Sequence, residues 1–92
     1  MKVKKLAKSA KILKSLGNVK RLEIVYQLRN GEKRVCELER KMNISQSALS
    51  QHLAILRAAR IVVTRRSAQS IYYSLANSEC EEIMEVLDKR YA

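Results

Sequence analysis

Two short amphipathic segments separated by only three residues set the frame for this chain. Val35, Leu38 and Met42 share one side of a helix over 35–42, and Leu49, Leu53 and Leu56 share one side of a second, which follows Ser45. Between them stand Asn43, Ile44 and Ser45. Asn43 tolerates the left-handed conformation that ends a helix, and Ser45 can cap the next one. A break of this length between two such helices is the helix-turn-helix pattern.

The second helix of the pair has an unusual outer face. Opposite its leucines it shows Gln46, Ser47, Ser50, Gln51 and Ala54, small or uncharged groups in a chain of 19 basic and 9 acidic residues. A helix lying in the major groove of DNA needs such a surface. Large or strongly charged side chains would hold it off or bind indiscriminately, whereas Ser and Ala let the backbone approach. Gln can pair with the N6/N7 edge of adenine, and Ser can donate to or accept from several bases. Residues 46, 47, 50 and 51 occupy the N-terminal half, the end that enters the groove in this motif. The bland alternative is a neutral surface with no ligand.

The net charge of +10 suits a polyanion, nucleic acid first and an anionic membrane surface second. It is unevenly placed. Residues 1–75 hold 17 basic and 4 acidic side chains, a net of +13, while residues 76–92 hold 2 and 5, a net of −3. The tail is therefore not expected to touch a polyanion. Ninety-two residues, 47% hydrophobic with no Pro, Phe or Trp, read as a single helix-rich domain over 1–92, small enough that oligomerisation would help stability. There is no secretory signal, no run of about 20 apolar residues to span a bilayer, and no disulfide framework from Cys36 and Cys80, so a reduced cytoplasmic protein is expected.

Three further helices complete the pattern. The first, about 3–16, has Val3, Leu6, Ala10 and Leu13 as its apolar stripe and Lys4, Lys5, Lys8 and Lys11 on another face. The second, about 18–29, starts at Asn18 and stops at Asn30-Gly31. Its apolar positions, including Val19, Leu22, Val25 and Tyr26, go most of the way round, which predicts a central buried helix. The last, about 79–90, has a capping box in Ser78 and Glu81 and an apolar face of Cys80, Ile83, Met84, Leu87 and Tyr91. Before it, "IVVTRR" and "SIYYSL" are β-rich segments joined by Ser67-Ala68-Gln69, which predicts a hairpin with Arg65, Arg66 and Gln69 at its tip. A basic hairpin after a helix-turn-helix is a wing that reaches phosphates or the minor groove.

The segments "LGNVKRLEIVYQL", "VCELERKMNISQSALSQHLAILR" and "VVTRRSAQSIYYSL" resemble consecutive parts of the ArsR/SmtB transcriptional repressors over about residues 12–75. "SQSALSQHL" is similar to the HlyU/BigR-like, thiol-sensing branch. The resemblance implies a mainly α winged helix-turn-helix with a β-hairpin wing, a homodimer built by the first and last helices, binding to a palindromic operator in double-stranded DNA, and release or activation by an inducer. On that reading Gln46, Ser47, Ser50 and Gln51 read bases, Arg65 and Arg66 anchor the backbone, and Arg57 and Gln69 belong to the same DNA-binding set.

The departures from the family are informative. Arg60 stands where a glycine usually follows the recognition helix, and Ala68 where one usually forms the wing turn, so two turns are made without glycine's freedom. The family's metal ligands in the last helix are Asp and His pairs; here Asn77, Glu79 and Asp88 stand without a histidine, so no metal or other cofactor is expected. The arsenic-sensing cysteine motif is reduced to "EKRVCEL", in which Arg34 replaces one cysteine and Cys36 matches the other. The positions of the thiol-sensing pair are Tyr26 and about Ala92.

Cys36, in the first turn of its helix beside Lys33 and Arg34, is the candidate redox or thiol-sensing position, with Glu37 and Glu39 opposing the thiolate; Cys80 reads as packing. The alternative is two cysteines with no sensing role. His52 reads as a packed, hydrogen-bonded imidazole rather than a metal ligand. No nucleophile stands beside a base and no Gly-rich phosphate loop is present, so no enzyme is read. Two rival readings are a heterodimerising interaction or anti-repressor module of the same fold, and a membrane-surface binder prompted by the lysine-rich first helix.

Overall fold

Most element boundaries follow from side chains that satisfy helix ends. The computed structural model describes residues 2–76 and 78–91. Helix α1 spans Val3–Leu16 and α2 spans Val19–Leu28. Asn18 caps α2 through Oδ1, which accepts from the Arg21 N–H at 3.1 Å, and Gly31 ends the turn after it with φ of 123°. Strand β1 covers Lys33–Arg34 and runs directly into α3, Val35–Met42. The Arg34 N–H donates to Glu37 Oε1 at 3.0 Å, which holds the Glu37 carboxyl below its usual range. Asn43 then takes φ of 50° and Ser45 Oγ accepts from the Ala48 N–H at 3.2 Å to open α4, Gln46–Ala58.

Strands β2, Val62–Ser67, and β3, Ser70–Leu75, form the hairpin, and α5 covers Ser78–Tyr91. The sheet order is β1-β3-β2, antiparallel throughout. The third strand was not visible in the sequence, because two residues cannot show a period. The core gathers Ile24, Val25 and Leu28 of α2, Leu38 and Met42 of α3, Leu49, Leu53 and Leu56 of α4, and Ile61 and Val62 at the base of the hairpin. Cys80 and Met84 close it from α5.

The stripe Val3, Leu6, Ala10 and Leu13 lies on the outside of α1, as a face kept for a partner helix would, and the helix docks on the core through Ile12, Ser15 and Leu16. Three expectations are corrected. Helix α2 is only partly enclosed: Val19, in its first turn, and Tyr26 are exposed, because the single chain has no element to cover that side. At the start of α5, Glu81 is drawn to Arg29 instead of serving as a capping-box partner. Arg29 Nε donates to Glu81 Oε1 at 2.9 Å and Nη1 donates to Asp88, so one guanidinium at the end of α2 holds α5 at two points. Tyr91 extends past the core and is exposed.

The two turns that lack the family's glycine keep the left-handed geometry and accept its strain. Arg60 has φ of 59° and Ala68 has φ of 55°. After α4 the Arg60 N–H bonds the Arg57 carbonyl at 3.0 Å and the Ile61 N–H reaches back to Leu56 at 2.9 Å, the Schellman arrangement that normally places glycine at residue 60. Relief of this strain is measurable. Ala68→Gly is expected to raise the unfolding free energy by about 0.5–1 kcal/mol, whereas Ala54→Gly inside α4 lowers it by about 1 kcal/mol. Urea unfolding midpoints check this, and a loss of equal size at both positions would show that the wing turn is unstrained.

Candidate nucleic-acid interface

Helix α4 is divided cleanly between core and surface. Leu49, Leu53 and Leu56 are at most 2% exposed, and on the other side Gln46, Ser47, Ser50, Gln51, Ala54 and Arg57 are all open to solvent. The apolar face anchors the helix on α2 and α3, so the exposed face stands out as a fixed ridge. None of Gln46, Ser47, Ser50 or Gln51 is engaged through its side chain in a hydrogen bond or ion pair among the described residues. His52 lies off this ridge. Its Nδ1 is 3.4 Å from Arg21 Nη1, a contact in which only the guanidinium can donate, and Arg21 Nε also donates to the Ser15 carbonyl at 2.5 Å. The histidine is thus part of the α1–α2–α4 packing.

The hairpin register decides where each wing residue points. The pairs Val62↔Leu75, Thr64↔Tyr73 and Arg66↔Ile71 alternate with Val63↔Ser74, Arg65↔Tyr72 and Ser67↔Ser70. Successive pairs face opposite sides of the sheet, and buried Val62 marks the first set as the side turned toward the helices. Arg66 therefore extends the face of Thr64 and Tyr73. A shallow groove runs between that face and α4, lined by Ser50, Leu53, Ala54, Arg57, Ala58 and Tyr73.

Arg65 lies on the other face and is already engaged. Its Nε donates to Glu32 Oε2 at 3.0 Å, its Nη2 donates to Glu32 Oε1, and its guanidinium carbon sits 4.5 Å from the centre of the Tyr72 ring. This pairing holds the Glu32 carboxyl below its ordinary range. The turn itself is two residues long, Ala68-Gln69, so of the three side chains expected at the tip Gln69 occupies it, while Arg65 and Arg66 stand back in the strand. The residues of this candidate surface that sequence reasoning missed are Glu32 and Tyr72, which engage Arg65, and Thr64 and Tyr73, which share the face of Arg66. The period of two in the strands was the available signal, since it separates Arg65 from Arg66.

From Gln46 to Leu75 the chain contains no Asp or Glu and four Arg. The ridge, the groove and the wing thus come from a stretch whose own charges are all positive, with uncharged hydrogen-bonding groups at its centre, and the acid that meets it is Glu32, at Arg65 on the far face of the sheet. Cys36 lies outside this surface, exposed in the first turn of α3, while Cys80 is buried with its thiol pushed up by desolvation. Among the described residues, no three His, Cys, Asp or Glu side chains are grouped to hold a metal ion, and Asn77 and Ala92 lie outside those residues. No helix among the described residues is long and apolar enough to cross a membrane.

A recognition helix with a neutral polar ridge, fixed beside a basic wing, defines a winged helix-turn-helix DNA-binding protein. The chain belongs to the arsR family of bacterial regulatory proteins, whose family model matches residues 18–64, and it is a DNA-binding transcriptional regulator, not an enzyme. It is 42% identical over 88 residues to the transcriptional activator HlyU of Vibrio cholerae, covering 96% of this chain and 82% of the relative. It is 43% identical over 84 residues to a biofilm growth-associated repressor of Agrobacterium fabrum, covering 91% and 72%. The solved HlyU of Vibrio cholerae superposes with a TM-score of 0.91 at 41% identity, covering 98% of both chains. The repressor BigR of Xylella fastidiosa does so with a TM-score of 0.90 at 36% identity, covering 97% of this chain and 91% of that one.

Proposed function

We propose that this regulator binds an imperfect palindromic operator as a homodimer, with Gln46, Ser47, Ser50 and Gln51 reading base edges and Arg57, Arg66 and Gln69 holding the backbone. The observation that supports this most is the placement of the acid-free stretch from Gln46 to Leu75, in which α4 presents a neutral ridge and Arg66 shares the side of the sheet turned toward it, opposite the face where Glu32 meets Arg65. Base edges are matched by the uncharged groups, and phosphates by the arginines around them.

The dimer is supported by what α1 and α5 leave uncovered. Val3, Leu6 and Leu13 on α1 are 80%, 51% and 58% exposed, and Val86 and Tyr91 on α5 are 65% and 80% exposed. Exposed apolar side chains on two terminal helices, one with six lysines in residues 1–14 and the other with five acids in residues 79–88, match a two-fold interface that buries them and opposes unlike charges. Two recognition helices related by that axis then meet half-sites about one helical turn apart.

Retardation of DNA from the region flanking the regulator's own coding sequence tests this reading, with random DNA as control. Gln51→Ala is expected to cost about 1–3 kcal/mol on the operator and little on random DNA, whereas Arg66→Ala weakens both alike and flattens the salt dependence by about one unit of slope. Equal losses on the two DNAs for Gln51→Ala would remove that residue from base reading.

A further inference from the structure

The two adjacent arginines of the wing have different surroundings, and the difference assigns them different tasks. Arg65 leaves β2, crosses over the Tyr72 ring on the central strand β3, and ends in a two-point contact with Glu32, just before β1. One side chain therefore spans the whole sheet. Glu32 is followed at once by β1, Lys33–Arg34, and β1 leads without a break into α3, the first helix of the helix-turn-helix. Any change in the angle of the hairpin relative to α3 has to stretch this contact.

The chemistry of the contact favours its persistence. A surface ion pair is usually weak because two flexible side chains must be ordered for a single screened attraction. Here the guanidinium fork meets both carboxylate oxygens, and its flat face is supported by an aromatic ring, so orientation is fixed as well as distance. Arg34, on the same face of the sheet and opposite Tyr72 in register, is itself paired with Glu37 at 3.5 Å. The cations on this face are thus compensated by Glu32 and Glu37. Arg66, on the opposite face, has no carboxylate within ion-pair distance among the described residues, and it is the one left for phosphate.

Building on the DNA-binding reading above, we infer that Arg65 is a positioning residue: its clamp on Glu32 over Tyr72 stays closed in the operator complex and sets the wing angle at which Arg66 and Gln69 reach the DNA. Phosphate-directed charge comes from Arg66. The clamp makes an acidic residue, Glu32, a contributor to binding of a polyanion, which is opposite to what its charge alone would do.

The test is a cycle of Glu32→Gln, Arg65→Gln and the double variant, with Arg66→Gln beside them, read by thermal melting of the free protein and by operator affinity over a range of salt. In the free protein each single clamp change is expected to lower the melting temperature by a few degrees and the double variant to go no lower. On DNA, Glu32→Gln and Arg65→Gln should weaken operator binding several-fold to the same extent, with the salt slope unchanged, while Arg66→Gln reduces that slope by about one unit. If Arg65→Gln lowers the slope by about one and Glu32→Gln tightens binding, Arg65 has left Glu32 for a phosphate and the inference is overturned. Additive melting effects would overturn it as well. Failure of the wild-type protein to bind any DNA, with the melting cycle still non-additive, would instead strike the DNA-binding reading and leave the clamp standing.

Discussion

Leu6→Asp is expected to leave the fold of the single chain intact and to separate the proposed dimer into monomers. Leu6 makes no part of the core, and an acid in the N-terminal half of a lysine-rich helix is favoured by the helix dipole. At the two-fold interface the same change removes a buried leucine from each protomer. At about 1.5–3 kcal/mol per side chain, doubled by symmetry, dissociation strengthens on the order of 10²- to 10⁴-fold. Sedimentation equilibrium at micromolar concentration reads the oligomer, and far-UV circular dichroism confirms that the helices remain. Loss of the dimer should abolish tight operator binding, because a single half-site contact lacks the second recognition helix. A variant that sediments as the wild-type dimer would exclude the outer face of α1 from the interface.

Leu49→Ala is expected to cost far more stability than any change on the exposed side of the same helix. Leu49 is fully buried, and truncating a core leucine to alanine costs about 2–5 kcal/mol. In a domain of this size that lowers the melting temperature by roughly ten degrees or more. Its neighbour Ser50 is exposed and lines the groove, so Ser50→Ala should stay within about 0.5 kcal/mol in stability and show its effect in DNA affinity. One residue along the helix thus separates folding from recognition. Near-equal melting points for Leu49→Ala and wild type would mean that α4 is not docked through this face.

Much of the candidate surface was legible because it depends on local chemistry. Asn18, Asn43 and Ser45 mark helix ends by hydrogen bonds or left-handed backbone that they supply within a few residues of themselves. The leucines of α4 repeat at a spacing that leaves only one side available for the core, so the exposure of Gln46, Ser47, Ser50 and Gln51 followed from their positions between them. The exposure of Cys36 and the burial of Cys80 followed from the same periodicity.

Other features depended on which segments the fold brings together. Helix α1 carries two apolar faces, Val3–Leu6–Leu13 and Ile12–Leu16, and periodicity says that a face seeks burial without saying against what. The chain's own core took the second, leaving the first exposed. Arg29 could be placed at the end of α2, but its attachment to Glu81 and Asp88 depends on how α5 returns across the molecule.

By itself, then, the sequence determined the helices and their ends, the inward and outward sides of α4, the hairpin and the excess of positive charge, all properties of spacing and composition over a few turns. Tertiary structure alone decided that α1 turns its longer stripe outward, that a two-residue strand joins the wing to α3, and that of the two wing arginines it is Arg65 that meets a carboxylate. Strand alternation puts two successive arginines on opposite faces, yet which face meets α4 and which meets Glu32, 33 residues away in sequence, is set by long-range packing. A charge has no assigned partner until the backbone has placed one beside it.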